Sequence, residues 1–108
     1  MDILNIREAI QANRLRITDH ADEEAQADRL SFAEICYSAL QGEIIKEYPE
    51  DRPYPSCLVY GRTPRGDPVH TVWAYNEESR WAVLITVYRP DPKRWLSYRR
   101  RRQHRKRR

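Results

Sequence analysis

A chain of 108 residues and 13.0 kDa has room for one compact domain, which excludes a multi-domain enzyme. The formal charge of +4 conceals a division: residues 1–92 carry 10 Lys and Arg against 16 Asp and Glu, net −6, whereas residues 93–108 carry net +10. No apolar run approaches the roughly 18–20 residues that span a bilayer, the N-terminus lacks a signal peptide's apolar core, and Cys36 and Cys57 are too few for a disulfide framework, so a cytoplasmic protein with reduced thiols and no membrane contact is expected.

Ile3, Leu4, Ile6 and Ile10 recur at near-helical spacing and predict a short amphipathic helix over residues 2–13. Leu15 and Ile17 alternate with Arg14, Arg16 and Thr18, which predicts a brief extended segment. Thr18 or Asp19 then caps a second, mostly polar helix running through Asp28. Ser31 and Glu34 form a Ser-x-x-Glu capping box, and Phe32, Ile35, Cys36, Ala39 and Leu40 share one face until Gly42 ends the turn. After Gly42 the period falls to two in EIIKEY, CLVYG, VHTVWAY and WAVLITVY, with RTPRGDP (62–68) and NEES as hairpin loops. Helices and then strands in blocks predict an α+β domain over residues 1–95, its N-terminal helices on one face of a four-stranded antiparallel sheet. Residues 96–108 are expected to form an arginine-rich, disordered tail.

His20 falls in the first turn of the second helix, where the helix N-terminus favours a neutral imidazole able to act as a general base. Glu24, one turn later, is placed to bond that ring and set its tautomer; the competing reading is a surface histidine near a helix start. His70 lies in a central strand on the face of Val72 and Ala74, either as an acid or base or as a buried histidine satisfied by a carbonyl. Thr86 and Tyr88 project to one face and offer hydroxyls to a phosphate oxygen or to a neighbouring strand. A metal site from His20, Cys36, Cys57 and His70 lacks CxxC, HxxxH or HxH spacing, and Gly42, Gly61 and Gly66 are too scattered for a phosphate loop, so no metal or cofactor is expected.

The tail KRWLSYRRRRQHRKRR is the most explicit binding signal. Arg94, Arg99, Arg100, Arg101 and Arg102 suit bidentate phosphate contacts, Trp95 and Tyr98 offer faces to unpaired bases, and RNA or the ribosome is the expected partner. Trp95 alternatively closes the edge of the core.

The segments ITDHADEEA, LSFAEICYSALQGEIIKEYP, DRPYPSCLVYG, PVHTVWAY and VLITVYRPDPKRW together resemble an uncharacterised bacterial family of small proteins, common in cyanobacteria and labelled as a domain of unknown function. The likeness spans residues 17–95 and rests on His20 with Glu24, Pro53, Pro55, Ser56, Cys57, Gly61, His70, the strand from Thr86 to Tyr88, Pro90 and Trp95. That family in turn resembles, at greater distance, the RelE-like toxins and barnase-like ribonucleases. The resemblance implies a RelE-like fold and a type II toxin–antitoxin pair whose cognate antitoxin is a small zinc-binding protein; a homodimer is compatible with it. RelE-like sheets cluster Lys and Arg, whereas this body is net −6.

Two functions follow. In a metal-independent endoribonuclease, one of His20 and His70 takes the 2′-hydroxyl proton and the other protonates the departing 5′-oxygen. Glu24 then orients His20, Thr86 and Tyr88 donate to the phosphate, and Arg62, Arg65 or Arg89 supplies positive charge. In a non-catalytic binding module, the same side chains stabilise the sheet while the tail binds nucleic acid or an acidic partner.

Overall fold

Each helix starts on a side chain that accepts an otherwise orphaned backbone N–H. In the computed structural model, which describes residues 1–102, Asp2 caps α1 (Ile3–Gln11) and Thr18 caps α2 (Asp19–Ala27). Ser31 and Glu34 form both halves of the capping box of α3 (Phe32–Leu40). Residues 103–108, and with them His104 and the end of the basic tail, lie outside the described residues. Among the described residues no helix is long and apolar enough to cross a membrane.

The chain then forms the predicted antiparallel meander: β2 (Glu43–Tyr48), β3 (Ser56–Arg62), β4 (Pro68–Asn76) and β5 (Trp81–Tyr88). Two features depart from the sequence expectation. The sheet is mixed and five-stranded rather than four-stranded and antiparallel, because β1 (Leu15–Ile17) pairs parallel with β5 in the order β1-β5-β4-β3-β2. Three residues are too few for periodicity to name a partner, yet they satisfy the outer backbone of β5 and pack Leu15 and Ile17 against the core. The second concerns residues 95–101. Trp95 and the residues after it form a ribbon of β6 (Trp95–Leu96) and β7 (Arg100–Arg101), held to the sheet by aromatic contacts and a histidine.

The sheet has two distinct faces. Ile6 and Ala9 of α1, Ala21 and Ala25 of α2, and Ile35 and Ala39 of α3 bury one face with Val59, Val69, Trp73 and Leu84. Trp73 is fully buried there, and its indole N–H donates to the Thr71 hydroxyl at 2.8 Å, so the ring leaves no polar atom unpaired. Close approach of α3 to β3 depends on Gly61, where an added Cβ would fall 1.9 Å from the Ser38 carbonyl oxygen. The opposite face carries His70, Val72 and Ala74, because strand residues alternate. A bulge in β5 between Leu84 and Thr86 shifts the alternation, so Thr86 lies opposite Val72 and Tyr88 opposite His70 on this second face.

Beyond β1, the outer edge of β5 is covered by α2 instead of a strand. The Thr18 N–H donates to the Leu84 carbonyl at 3.1 Å and its hydroxyl to the Ile85 carbonyl at 3.3 Å. Glu24 accepts the Val87 N–H at 3.2 Å, and Asp28 accepts the Arg89 N–H at 2.9 Å. Four backbone groups that a free edge would leave to solvent are thus paired by the sequence Thr18–Asp28.

Two stability effects follow from these contacts. Gly61→Ala is expected to lower the unfolding free energy by about 1–3 kcal/mol in urea denaturation, because α3 must move off the sheet to admit a methyl group. Glu24→Ala is expected to cost about 1–2 kcal/mol by stranding the Val87 N–H, with His20→Ala nearly neutral; equal stability of the two variants would show that Glu24 does not hold the edge.

Candidate functional site

The register places four side chains in one row across the second face: Glu43 beside Tyr60, Tyr60 beside His70, and His70 beside Tyr88. The β6–β7 ribbon lies over this row. Trp95 meets the His70 ring edge to face with centroids 4.4 Å apart, and Tyr98 stacks on Tyr60 at 6.3 Å. His70 is fully buried, and both ring nitrogens are engaged: Nε2 lies 2.6 Å from the Tyr98 carbonyl oxygen and Nδ1 lies 3.1 Å from the Tyr88 hydroxyl. A carbonyl only accepts, so Nε2 carries the proton, Nδ1 accepts, and Tyr88 donates to it. Burial lowers the His70 pKa against the opposing pull of the Tyr98 carbonyl. Burial likewise pushes the Tyr88 hydroxyl up to about 12. The ring is therefore a neutral crosslink between sheet and ribbon.

The turn it holds has unusual backbone. Ser97 and Tyr98 have φ of 50° and 59°, and the Arg99 N–H donates to the Leu96 carbonyl at 3.0 Å, the pattern of a type I′ turn that Asn-Gly ordinarily supplies. Left-handed backbone at non-glycine residues costs on the order of 1–2 kcal/mol each. The bond to His70 and the Tyr60 stack offset that cost and aim the next residue, Arg99, across the row.

Arg99 pairs with Glu43 and places its guanidinium 4.8 Å from the centre of the Tyr60 ring. On the other side, Arg62 lies 5.7 Å from the Tyr60 ring and 6.0 Å from Tyr98, steadied by a 2.7 Å bond to the Gly66 carbonyl. Tyr60, Arg62 and Arg99 border a groove of about 580 Å³ that extends to Tyr37 and Gln41 at the end of α3. Arg101 covers Trp95 at 5.6 Å. This combination of cations and aromatic faces is suited to phosphates and stacked bases.

The remaining expected site residues are dispersed. His20 is 67 % exposed at its side chain and lies 3.1 Å from Glu24, whose carboxylate also accepts from Val87. It sits on α2 at the outer edge of β5, whereas His70 lies on β4 beneath the ribbon, and the two share no contact partner. Thr86 shares a face with Tyr88 but lies one row away from His70. Arg89 is committed to α2 through a 2.8 Å bond to the Asp28 carbonyl, and lies 3.7 Å from Asp67. Arg65 is exposed in the β3–β4 loop, Arg94 in the turn before β6, and Arg100 on the ribbon, while Arg102 bonds the Pro92 carbonyl at 3.1 Å. Cys36 lies on α3 and Cys57 in the helix-side core, its thiol pushed up to about 11 by burial; among the described residues no three His, Cys, Asp or Glu side chains gather as a metal site. Tyr60 and Glu43 were not singled out from sequence. A symmetric hairpin centred on Arg65 already places Tyr60 opposite His70, and that count is the signal that finds it.

The buried histidine makes stability pH-dependent. Above about pH 6.5 the ring is neutral both folded and unfolded, and below it the unfolded chain takes a proton that the folded protein resists. The urea midpoint is expected to hold constant above pH 6.5 and to fall between pH 6.5 and 5, with a flatter slope in His70→Gln; an unchanged slope would remove the crosslink assignment.

No curated protein matches this chain, and no solved structure matches it. A family model described as Domain of unknown function (DUF4258) matches residues 17–89, from the end of β1 to the end of β5. That span takes in α2, α3 and the four antiparallel strands, with His20, Glu24, His70, Thr86 and Tyr88, and leaves α1 and the ribbon outside. The chain belongs to this DUF4258 family.

Proposed function

We propose that the domain binds single-stranded RNA on the second face of its sheet. The observation that carries this reading is the Tyr60 ring flanked by the guanidiniums of Arg62 and Arg99 at the border of a groove. Tyr60, only 4 % exposed beneath Tyr98, holds the two guanidiniums in place, and the half-buried Tyr37 ring on the groove wall is the one a base can meet. Phosphate pairing with arginine and stacking on a ring need no particular sequence, so such a groove grips unpaired RNA in general. The arginines of the ribbon, from Arg99 to Arg102, extend the cationic surface beside it.

A catalytic reading, the RelE-like ribonuclease toxin held by an antitoxin, is favoured by one observation: His20 is exposed and paired with Glu24. In that reading His20 takes the 2′-hydroxyl proton. His70 is not its partner, because its only proton is bound to the Tyr98 carbonyl beneath the ribbon. The acid is then a different group, and the cofactor-free two-histidine scheme reduces to a single-histidine one.

The two readings give different outcomes. In fluorescence anisotropy with single-stranded RNA, Arg62→Ala and Arg99→Ala are each expected to weaken binding several-fold and to reduce the slope of log K against log salt by about 0.7 per lost phosphate contact, with His20→Ala unchanged. Wild-type affinity in both arginine variants would overturn the binding face. Growth arrest and new RNA ends on induction of the wild type, both absent in His20→Ala at equal soluble expression, would establish the ribonuclease.

A further inference from the structure

We infer that a second groove receives a base of the bound RNA, so that one strand runs from the Arg62–Arg99 groove across the sheet to Trp81. This rests on the RNA-binding reading above. The groove measures about 560 Å³, with Val83 and Ile85 on its floor and Arg16, Arg52, Tyr54 and Trp81 around it. Trp81 is 41 % exposed and Tyr54 37 %, an unusual exposure for two large rings beside one cleft. Arg16 and Arg52 form no ion pair among the described residues. This groove therefore adds what the first lacks: two open aromatic faces, with guanidiniums that no carboxylate pairs, beside a site where Tyr60 is buried and Arg99 is held by Glu43.

Register places the second groove on the face that carries Glu43, Tyr60 and Arg62 of the first. Arg16 lies beside Val83, Val83 opposite Ala74, and Trp81 opposite Asn76. Ala74 and Asn76 follow His70 at even spacing on β4, and His70 is the neighbour of Tyr60. Six residues from His70 to Asn76 span about 20 Å, a distance that an extended strand of a few nucleotides bridges. Between them runs a row containing Lys46 on β2 and Thr86 on β5, a cation and a hydroxyl placed under the connecting backbone. An added peptide strand is a poorer occupant. The groove's floor is the side-chain face of β4 and β5, which are paired with each other, and strand addition uses an edge and not a face.

Trp81 supplies its own readout, since Trp73 and Trp95 are buried at 0 % and 8 % exposure. Titration of the full chain with an oligouridine of about 12 nucleotides is expected to quench tryptophan fluorescence, and Trp81→Ala to abolish the quench and weaken binding about tenfold. Arg52→Ala, a loop substitution that leaves the sheet intact, is expected to weaken binding several-fold. Wild-type affinity in both variants, with Arg62→Ala and Arg99→Ala still impaired, would overturn the second groove and leave the first standing. Failure of the wild type to bind the oligonucleotide would overturn the RNA-binding reading and this inference with it. Quenching by polyglutamate but not by RNA would overturn it in favour of an acidic protein partner.

Discussion

A neutral imidazole in the middle of a β-sheet requires two partners, and meeting that requirement organises the second face of this protein. His70 has one nitrogen that must donate and one that must accept. Tyr88, its neighbour on β5, answers the second need. No neighbouring strand answers the first, because strand backbone bonds lie in the sheet plane while the ring stands out of it. The acceptor comes instead from the Tyr98 carbonyl, delivered by a turn with two left-handed residues. Docking that turn carries Trp95 onto the ring, stacks Tyr98 on Tyr60 and sets Arg99 over the same tyrosine. The arginine–tyrosine face is thus a consequence of satisfying a histidine.

The helix side meets a comparable demand by other means. β1 covers only the first half of β5, which leaves the stretch from Leu84 to Arg89 with unpaired backbone groups. Thr18, Glu24 and Asp28 recur along α2 at spacings that bring them to that edge, where each bonds the main chain of β5. Glu24 consequently serves a strand amide and a histidine with one carboxylate. Its bond to Val87 holds it in place, and His20 adds to an arrangement already fixed by the fold. A motif containing both residues is accounted for on structural grounds by Glu24, and any chemistry must come from His20.

Much of this architecture was legible in the sequence because it depends on local rules. Capping at Thr18 or Asp19 and at Ser31 with Glu34, the change of period after Gly42, and the alternation that puts His70 on the face of Val72 and Ala74 are all read within a few residues, whereas Tyr88 reaches that face only through the bulge in β5. What escaped reading is non-local. β1 is three residues long, and its parallel partner lies more than sixty positions away. The ribbon's docking depends on one side chain meeting a distant carbonyl, which composition registers only as a run of arginines. His20 and His70 looked equivalent as residue types, yet one is solvent-facing on a helix and the other is enclosed between sheet and ribbon.

Net charge gives a misleading account of this surface for a related reason. The body's −6 is an average over residues that the fold sorts by face. Asp19, Asp22, Glu23, Glu24 and Asp28 are all carried by α2 and its C-terminal end, on the helix side, where two of them cap β5. The open face carries Arg16, Lys46 and Arg62 from the strands and Arg99 from the ribbon, with Glu43 as the acidic member of the row and already paired with Arg99. Since charges more than about 8–10 Å apart are largely screened at physiological salt, an approaching polyanion responds to the face it meets and not to the total. An acidic body and a cationic sheet face therefore coexist, and the first gives no ground for denying the second.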